Sequence, residues 1–181
     1  MSYMIAIIFS VLILIADQVT KFLVASNFQL GETRPFIDGF MNFTYIHNSG
    51  AAFGIFKDQT WVFLAITVLV MIVCIGMLVK KTYSSKLMTW SIFLVLSGGM
   101  GNLIDRIFRG GNVVDFLEFD FIRFPIFNIA DCAVVVGAGM IIVYFIFDFI
   151  KEVQSNKIVE IAADHKPEAE EKQEQDTEEK Q

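Results

Sequence analysis

The side chains best suited to chemistry in this sequence are carboxylates, amides and cations at the edges of long apolar runs. They are Asp17 and Lys21, then Asn102, Asp105 and Arg106, then Asp115, and finally Asn128 and Asp131. Ionisable groups at membrane depth are costly and tend to line functional cavities. Asp115 stands in the apolar stretch Val113–Leu117, where an unpaired carboxylate is unfavourable. We therefore expect this group to hold or share a proton.

Two pairs of these residues have a structural explanation that competes with a chemical one. Asp17 and Lys21 are four residues apart, so they lie on one face of a helix. They form either a site at membrane depth or an ordinary ion pair whose lysine reaches the interface. Asn128 is a good helix N-cap, and Asp131 suits the first helical turn. On these residues alone, capping is favoured over catalysis for Asp131.

Small residues accompany the polar groups in two places. One helical face of the third run carries Gly98, Gly101, Asn102, Asp105 and Arg106. Glycine there lets another helix approach closely, but a packing motif has no need of the polar groups. The tract Asn48–Gly54 is either a tight turn or a place where the backbone comes close to a ligand.

Four apolar runs must position these groups. The chain has 181 residues, of which 55% are hydrophobic, and its mean hydropathy is +0.57. A helix needs roughly 20 apolar residues to cross a bilayer. We predict an all-α integral membrane protein with four transmembrane helices, near residues 3–25, 59–80, 87–108 and 128–150.

The helix count also predicts where the polar groups meet. Because successive helices cross in opposite directions, the ends of helices one and three and the start of helix four share one membrane face. The intervening segments near 26–58 and 109–127 contain β-branched, aromatic and polar residues in partial alternation, which is typical of short strands. We predict that they form a small β-sheet and loops on the outer membrane surface. These parts constitute one membrane domain, residues 1–155.

The charge is unevenly distributed along the chain. The formal net charge is −6 at pH 7, and nine acidic residues against three lysines from Glu160 onward account for all of it. Residues 156–181 are therefore predicted to be an acidic disordered tail. The turn with Lys80, Lys81 and Lys86 favours the cytoplasmic side. Both termini are then cytoplasmic, and the polar groups lie at the outer face.

Cysteine and histidine are scarce in the sequence. Two of each, far apart, do not provide a metal cluster, so no metal or other cofactor is predicted. A Cys–His nucleophile would need Cys132 and His47 to meet, and no third group that would orient the histidine is evident. The cysteines are expected to be small packing residues.

Five motifs, in order, resemble those of the lipoprotein signal peptidases (signal peptidase II) over about residues 4–150. They are Asp17-Gln18-Val19-Thr20-Lys21, Asn48-Ser49-Gly50-Ala51-Ala52-Phe53-Gly54, Gly98-Gly99-Met100-Gly101-Asn102-Leu103-Ile104-Asp105-Arg106, Val113-Val114-Asp115-Phe116 and Phe127-Asn128-Ile129-Ala130-Asp131. Each motif alone is weak, but their order on a four-helix hydropathy profile is specific. The acidic tail lies outside the resemblance.

The resemblance implies a membrane aspartyl endopeptidase that removes the signal peptide from diacylglyceryl-modified prolipoproteins, cutting before the lipidated cysteine. Asp115 and Asp131 would be the catalytic dyad and would share one proton, as paired carboxylates do. The implied supporting or substrate-binding residues are Asp17, Lys21, Asn48, Gly50, Asn102, Asp105, Arg106, Asn128 and Ala130.

The same resemblance implies the partners and the location. The partners are prolipoprotein substrates, membrane lipid and globomycin-type peptide inhibitors, with no nucleic acid. The enzyme is expected to be a monomer in the bacterial cell membrane, with its active site near the outer face.

Two functions of other classes compete with this interpretation. A proton-coupled transporter or channel subunit would need polar residues through the depth of the bundle, whereas here they crowd at one face apart from Asp148. A non-enzymatic membrane scaffold would leave Asp115 and Asp131 without a role beyond capping.

Overall fold

Four helices and one small sheet make up the described part of the chain. The structure is a computed structural model that describes residues 2–50, 59–83 and 85–164. The helices are α1 (Ser2–Asn27), α2 (Thr60–Val79), α3 (Lys86–Phe108) and α4 (Ile129–Asp164), and the strands are β1 (Thr33–Ile37), β2 (Met41–Asn48) and β3 (Val113–Phe119). Each of these four helices is long and apolar enough to cross a membrane, which confirms the four predicted spans.

Helix α1 runs alongside α3 in the same direction. Near its start, Ser10 Oγ donates a hydrogen bond to the Phe93 carbonyl oxygen at 3.1 Å. Near its end, Gln18 Nε2 donates to the Gly101 carbonyl oxygen at 3.1 Å. The C-terminal ends of both helices therefore lie together, as the alternation of spans predicts.

Helix α2 runs in the opposite direction to α3. Its first turns lie beside the end of α3, where the Arg106 guanidinium stands 5.5 Å from the centre of the Phe63 ring. About two turns further along, Met71 lies next to Gly99, at which a Cβ atom would be 3.7 Å from the Met71 side chain. The start of α2 is thus at the same end of the bundle as the polar groups.

Helix α4 packs against α3 through glycines. A Cβ atom on Gly98 would overlap the Ala130 carbonyl oxygen, and one on Gly101 would stand 3.1 Å from the Ala130 Cβ. At the other end of the contact, a Cβ atom on Gly137 would be 2.8 Å from the Ser91 carbonyl oxygen. These contacts make α4 antiparallel to α3 and bring its first turn to the polar end, which confirms the predicted close packing.

The strands form an antiparallel sheet in the order β1-β2-β3. The hairpin between β1 and β2 turns at Gly39, whose φ of 69° is one that glycine adopts readily. Val24 of α1 packs with Tyr45, Val114 and Phe116 in one buried cluster, so the sheet rests on the end of α1. The predicted small sheet is confirmed, although residues 51–54 of the small-residue tract lie outside the described residues.

The predicted end of the fourth helix is wrong. The sequence places it near residue 150, where the apolar run stops, but α4 continues to Asp164. Residues 151–164 include lysine, glutamate and glutamine, which favour helix as well as most apolar residues do. The described part of the predicted tail, residues 156–164, is therefore helical, and the rest of that tail lies outside the described residues.

Internal contacts divide the chain into two compact units, Met1–Ile141 and Ile142–Gln181. Every candidate site residue belongs to the first unit. The domain limits predicted from the sequence, residues 1–155, stay a prediction.

The helix contact at Gly98 gives a first prediction. Gly98→Ala is expected to destabilise the protein by about 1–3 kcal/mol, because the added methyl group forces α3 and α4 apart. Gly139→Ala, where the new Cβ meets nothing within 4 Å, is expected to be neutral or to stabilise by up to about 1 kcal/mol. The melting temperatures of the two variants are measured by thermal unfolding in detergent. Equal melting temperatures would contradict a close contact between Gly98 and α4.

Candidate active site

A buried lysine joins α1 to α3 at the polar end of the bundle. Lys21 is 0% exposed, and its Nζ lies 3.0 Å from Asp17 Oδ2, 3.1 Å from Asp105 Oδ2 and 2.9 Å from Asn102 Oδ1. Each of the three ammonium hydrogens thus has an acceptor. The ion pair between Asp17 and Lys21 is present, but the alternative in which the lysine reaches the interface is wrong.

Asp105 connects the end of α3 to β3. One of its oxygens, Oδ2, accepts both from Lys21 and from the backbone N–H of Val114, the latter at 3.1 Å. The other, Oδ1, lies 3.1 Å from Arg109 Nε. Because Val114 precedes Asp115 in the strand, Asp105 holds the backbone next to the predicted catalytic residue.

The first turn of α4 is capped by side chains from two elements. Asn128 Oδ1 accepts from the Asp131 backbone N–H at 2.9 Å, and Asp131 Oδ2 accepts from the Asn128 backbone N–H at 3.2 Å. Asp17 Oδ1 accepts from the Ala130 backbone N–H at 2.9 Å. The reciprocal arrangement is a capping box, so the predicted capping role of Asn128 and Asp131 is confirmed.

Three asparagines direct amide N–H groups at the two aspartates. Asp115 accepts from Asn128 Nδ2 at 2.5 Å and from Asn48 Nδ2 at 2.7 Å. Asp131 Oδ1 accepts from Asn102 Nδ2 at 2.7 Å. Asn128 Nδ2 also lies 3.1 Å from Asn102 Oδ1, so the two amides link both carboxyl groups into one network.

The environment of Asp115 favours its protonated form. The residue is 1% exposed. The pKa of Asp115 is raised from 3.8 to about 7, mainly by burial and next by the neighbouring Asp131 charge. The hydrogen bonds from Asn48 and Asn128 and the charge of Lys21 act in the opposite direction. Asp115 can therefore keep a proton close to neutral pH while Asp131 stands beside it.

A cavity of about 520 Å³ opens next to these groups. Its polar wall includes Asn48, Asn102, Arg106 and Asp131. Its apolar wall includes Phe63 and Thr67 of α2, Val134 of α4, and Phe124 and Phe127 of the segment between β3 and α4. A substrate in this cavity would meet one carboxyl group directly and would lie against mostly apolar side chains.

The structure gathers every predicted site residue that it describes into this region. Gly50 also belongs to this region: its backbone N–H donates to Asn48 Oδ1 at 3.0 Å, and the residue lines the cavity. Three residues with a role in the network were not singled out from the sequence: Gln18, Arg109 and Phe63.

Only one of these three omissions had a usable signal. Arg109 lies four residues after Asp105, a helical pairing distance. Gln18 donates to Asp17 Oδ2 at 3.1 Å as well as to α3, and Phe63 lies under Arg106. Nothing in the spacing of Gln18 or Phe63 indicates these tertiary contacts.

The four-span fold is similar to the folds of known bacterial membrane enzymes. Two solved structures described as bacterial membrane enzymes match it, each at 35% sequence identity. One has a TM-score of 0.75 and covers 80% of this chain and 88% of its own. The other has a TM-score of 0.70 and covers 77% and 91%.

Sequence comparisons define the family. The profile of the family described as signal peptidase (SPase) II matches residues 9–147. A lipoprotein signal peptidase of Enterococcus faecalis is 43% identical over 139 residues, covering 77% of this chain and 86% of that protein. One of Streptococcus pyogenes serotype M6 is 42% identical over 137 residues, covering 75% and 90%. The chain belongs to the signal peptidase II family, and its function is the removal of signal peptides from prolipoproteins.

The buried lysine gives a second prediction. Lys21→Met is expected to destabilise the protein by about 3–5 kcal/mol, because it leaves two buried carboxylates without their shared cation. Lys80→Met, at an exposed helix end, is expected to change stability by less than about 0.5 kcal/mol. Melting temperatures in detergent measure both variants. If Lys21→Met were as stable as Lys80→Met, the ion pairs of Lys21 with Asp17 and Asp105 would contribute no stability.

Proposed function

We propose that this chain is an aspartic endopeptidase in which Asp115 and Asp131 cut diacylglyceryl-modified prolipoproteins before the lipidated cysteine. One observation carries the proposal: Asn128 donates its side-chain amide to Asp115 and its backbone N–H to Asp131. Two carboxyl groups that share one residue as a hydrogen-bond donor lie close together. Neighbouring carboxyl groups do not both ionise easily, so the pair holds one proton at neutral pH.

The first half of the reaction follows from this shared proton. A water molecule attacks the carbonyl carbon of the scissile peptide bond, and the ionised Asp131 takes a proton from that water. Protonated Asp115 gives its proton to the carbonyl oxygen. The product is a tetrahedral intermediate with two hydroxyl groups, and the charges on the two aspartates are exchanged.

The second half of the reaction restores the starting state. Asp131 gives its proton to the peptide nitrogen, the carbon–nitrogen bond breaks, and the amine leaves. Asp115 takes a proton from one hydroxyl group as the carboxylic acid forms. The dyad then holds one proton on Asp115, as at the beginning.

The other residues around the dyad have supporting roles in this proposal. Asn48, Asn102 and Asn128 orient the carboxyl groups through the bonds described above. Arg106 lines the cavity beside Asp131 and is suited to donate hydrogen bonds to the carbonyl oxygens of a bound peptide. Asp17, Lys21 and Asp105 hold α1, α3, α4 and β3 together behind the dyad.

The substrate and the inhibitor are inferred from the family and from the cavity. The apolar wall formed by α2, α4 and the segment between β3 and α4 suits a substrate whose acyl chains stay in lipid. Peptides of the globomycin type are expected to compete for the same cavity. The enzyme is expected to act as a monomer, because the dyad and the described cavity wall come from a single chain.

We also propose that both termini are cytoplasmic and that the site lies near the outer face of the membrane. The lysine-rich turn between α2 and α3 supports this orientation. An Asp38→Cys variant in the exposed β1–β2 turn is then expected to react with a membrane-impermeant maleimide in intact cells. Labelling only after cell lysis would reverse the orientation.

The dyad is tested by cleavage of a diacylated precursor peptide. Asp115→Asn and Asp131→Asn are each expected to lower kcat by about a hundredfold to ten-thousandfold or more, because each removes one proton-transfer group. Asp38→Asn, an exposed aspartate on the β1–β2 turn, serves as the control and is expected to keep its activity. Normal processing by either dyad variant would contradict the proposal.

The same assay reports the proton on Asp115. The pKa of Asp115 is raised to about 7, so the group is protonated below that pH and ionised above it. We therefore expect kcat/KM to fall as the pH rises through about 7. The apparent pKa of this fall belongs to the two coupled carboxyl groups, Asp115 and Asp131, together. A flat profile through that range would show that catalysis does not need this proton.

A further inference from the structure

All three asparagines at the dyad face a group that can only donate hydrogen bonds. Asn48 Oδ1 accepts from the Gly50 backbone N–H and Asn128 Oδ1 accepts from the Asp131 backbone N–H, at 3.0 and 2.9 Å. Asn102 Oδ1 accepts from the Lys21 ammonium group at 2.9 Å. Because a donor must face an acceptor, each amide turns its oxygen to that group and its N–H to an aspartate.

The three orienting groups differ in one respect. For Asn48 and Asn128 the donor belongs to the backbone, which every residue other than proline supplies. Asn102 Oδ1 instead has two side-chain donors: the 0% exposed Lys21 of another helix at 2.9 Å, and Asn128 Nδ2 at 3.1 Å.

The two hydrogens of Asn128 Nδ2 also face Asp115 Oδ1 at 2.5 Å and the Val114 carbonyl oxygen at 3.4 Å. Lys21 is therefore the nearer donor to Asn102 Oδ1 and the one with a hydrogen to spare for it, so the orientation of this amide depends mainly on position 21.

We infer that Lys21 is a positioning residue that sets the orientation of the Asn102 amide, so that Asp131 receives an N–H instead of a carbonyl oxygen. The inference rests on the proposed dyad and deepens it. An amide N–H stabilises a carboxylate, whereas an amide oxygen at the same place requires a protonated carboxyl group. Lys21 in this way favours the ionised base of the dyad without touching it.

The charge of Lys21 must be separated from its role as a donor. The charged groups on the elements around the Asn102 amide are Asp17 and Lys21 on α1, Asp105, Arg106 and Arg109 on α3, Asp115 on β3 and Asp131 on α4. Replacing Lys21 alone would change the local charge and leave two carboxylates unpaired. Replacing Asp17 by Asn at the same time keeps the net charge of the cluster unchanged.

Two double variants of equal charge test the inference. Asp17→Asn/Lys21→Met has no donor at position 21, whereas Asp17→Asn/Lys21→Gln offers an amide N–H there. Both are compared with the unaltered full chain, whose cluster has the same net charge, in detergent, by kcat and KM for a diacylated precursor peptide as a function of pH. Melting temperatures verify that the proteins are folded.

The methionine double variant is expected to move the acidic limb of kcat/KM to higher pH by about one unit or more, with KM changed less than kcat. The glutamine double variant is expected to keep the acidic limb near that of the unaltered chain. If the acidic limb of kcat/KM lies at the same pH in the two double variants, the inference is overturned, whether or not that pH differs from the reference. The dyad proposal is not affected by this outcome. Normal activity of Asp115→Asn or Asp131→Asn instead overturns the dyad.

A further variant covers the case in which the methionine protein does not accumulate. Asn102→Leu removes the N–H that Asp131 accepts and adds no charge to the cluster. The acidic limb is expected to rise by about one pH unit or more here too. An unchanged limb would show that the amide orientation does not matter.

Discussion

The burial of one ammonium group organises the polar end of this protein. A cation taken out of water is stable only if every hydrogen finds an acceptor and its charge is balanced. Lys21 meets that requirement with Asp17, Asp105 and Asn102. The two carboxylates in turn have free lone pairs, and these accept from the backbone of α4 and β3. A single buried charge thus connects four separate elements.

The same requirement explains how α4 begins inside the protein. The first backbone N–H groups of a helix have no partner within the helix, and they are normally capped or in water. Here Asn128 is 0% exposed, and the first turn is satisfied by Asp17 and by the capping box. Gly98 and Gly101 of α3 let this turn, and Asp17 of α1, approach α3 closely. The cap and the glycine contacts together place Asp131 at the cavity wall.

Much of this arrangement was predictable from the sequence, and the remainder depends on tertiary contacts. The apolar runs locate the four helices, and their alternation brings Asp17, Asn102 and Asn128 to one end. Periodicity alone did not show that Lys21 is buried, because a lysine at the end of a span can equally extend to the interface. The sequence also did not predict that α4 continues to Asp164. An apolar run indicates which part of a helix lies in lipid, and the helix can continue beyond that run.

Capping and the proposed catalysis are compatible for Asp131, as a count of its acceptor sites shows. A carboxylate has about four lone-pair positions. In Asp131, Oδ2 accepts from the Asn128 backbone and Oδ1 accepts from the Asn102 amide. These two bonds leave one position on each oxygen for water or for a substrate in the cavity. Capping therefore does not exclude the proposed proton transfer, because the bond that starts α4 also holds the carboxyl group facing the cavity.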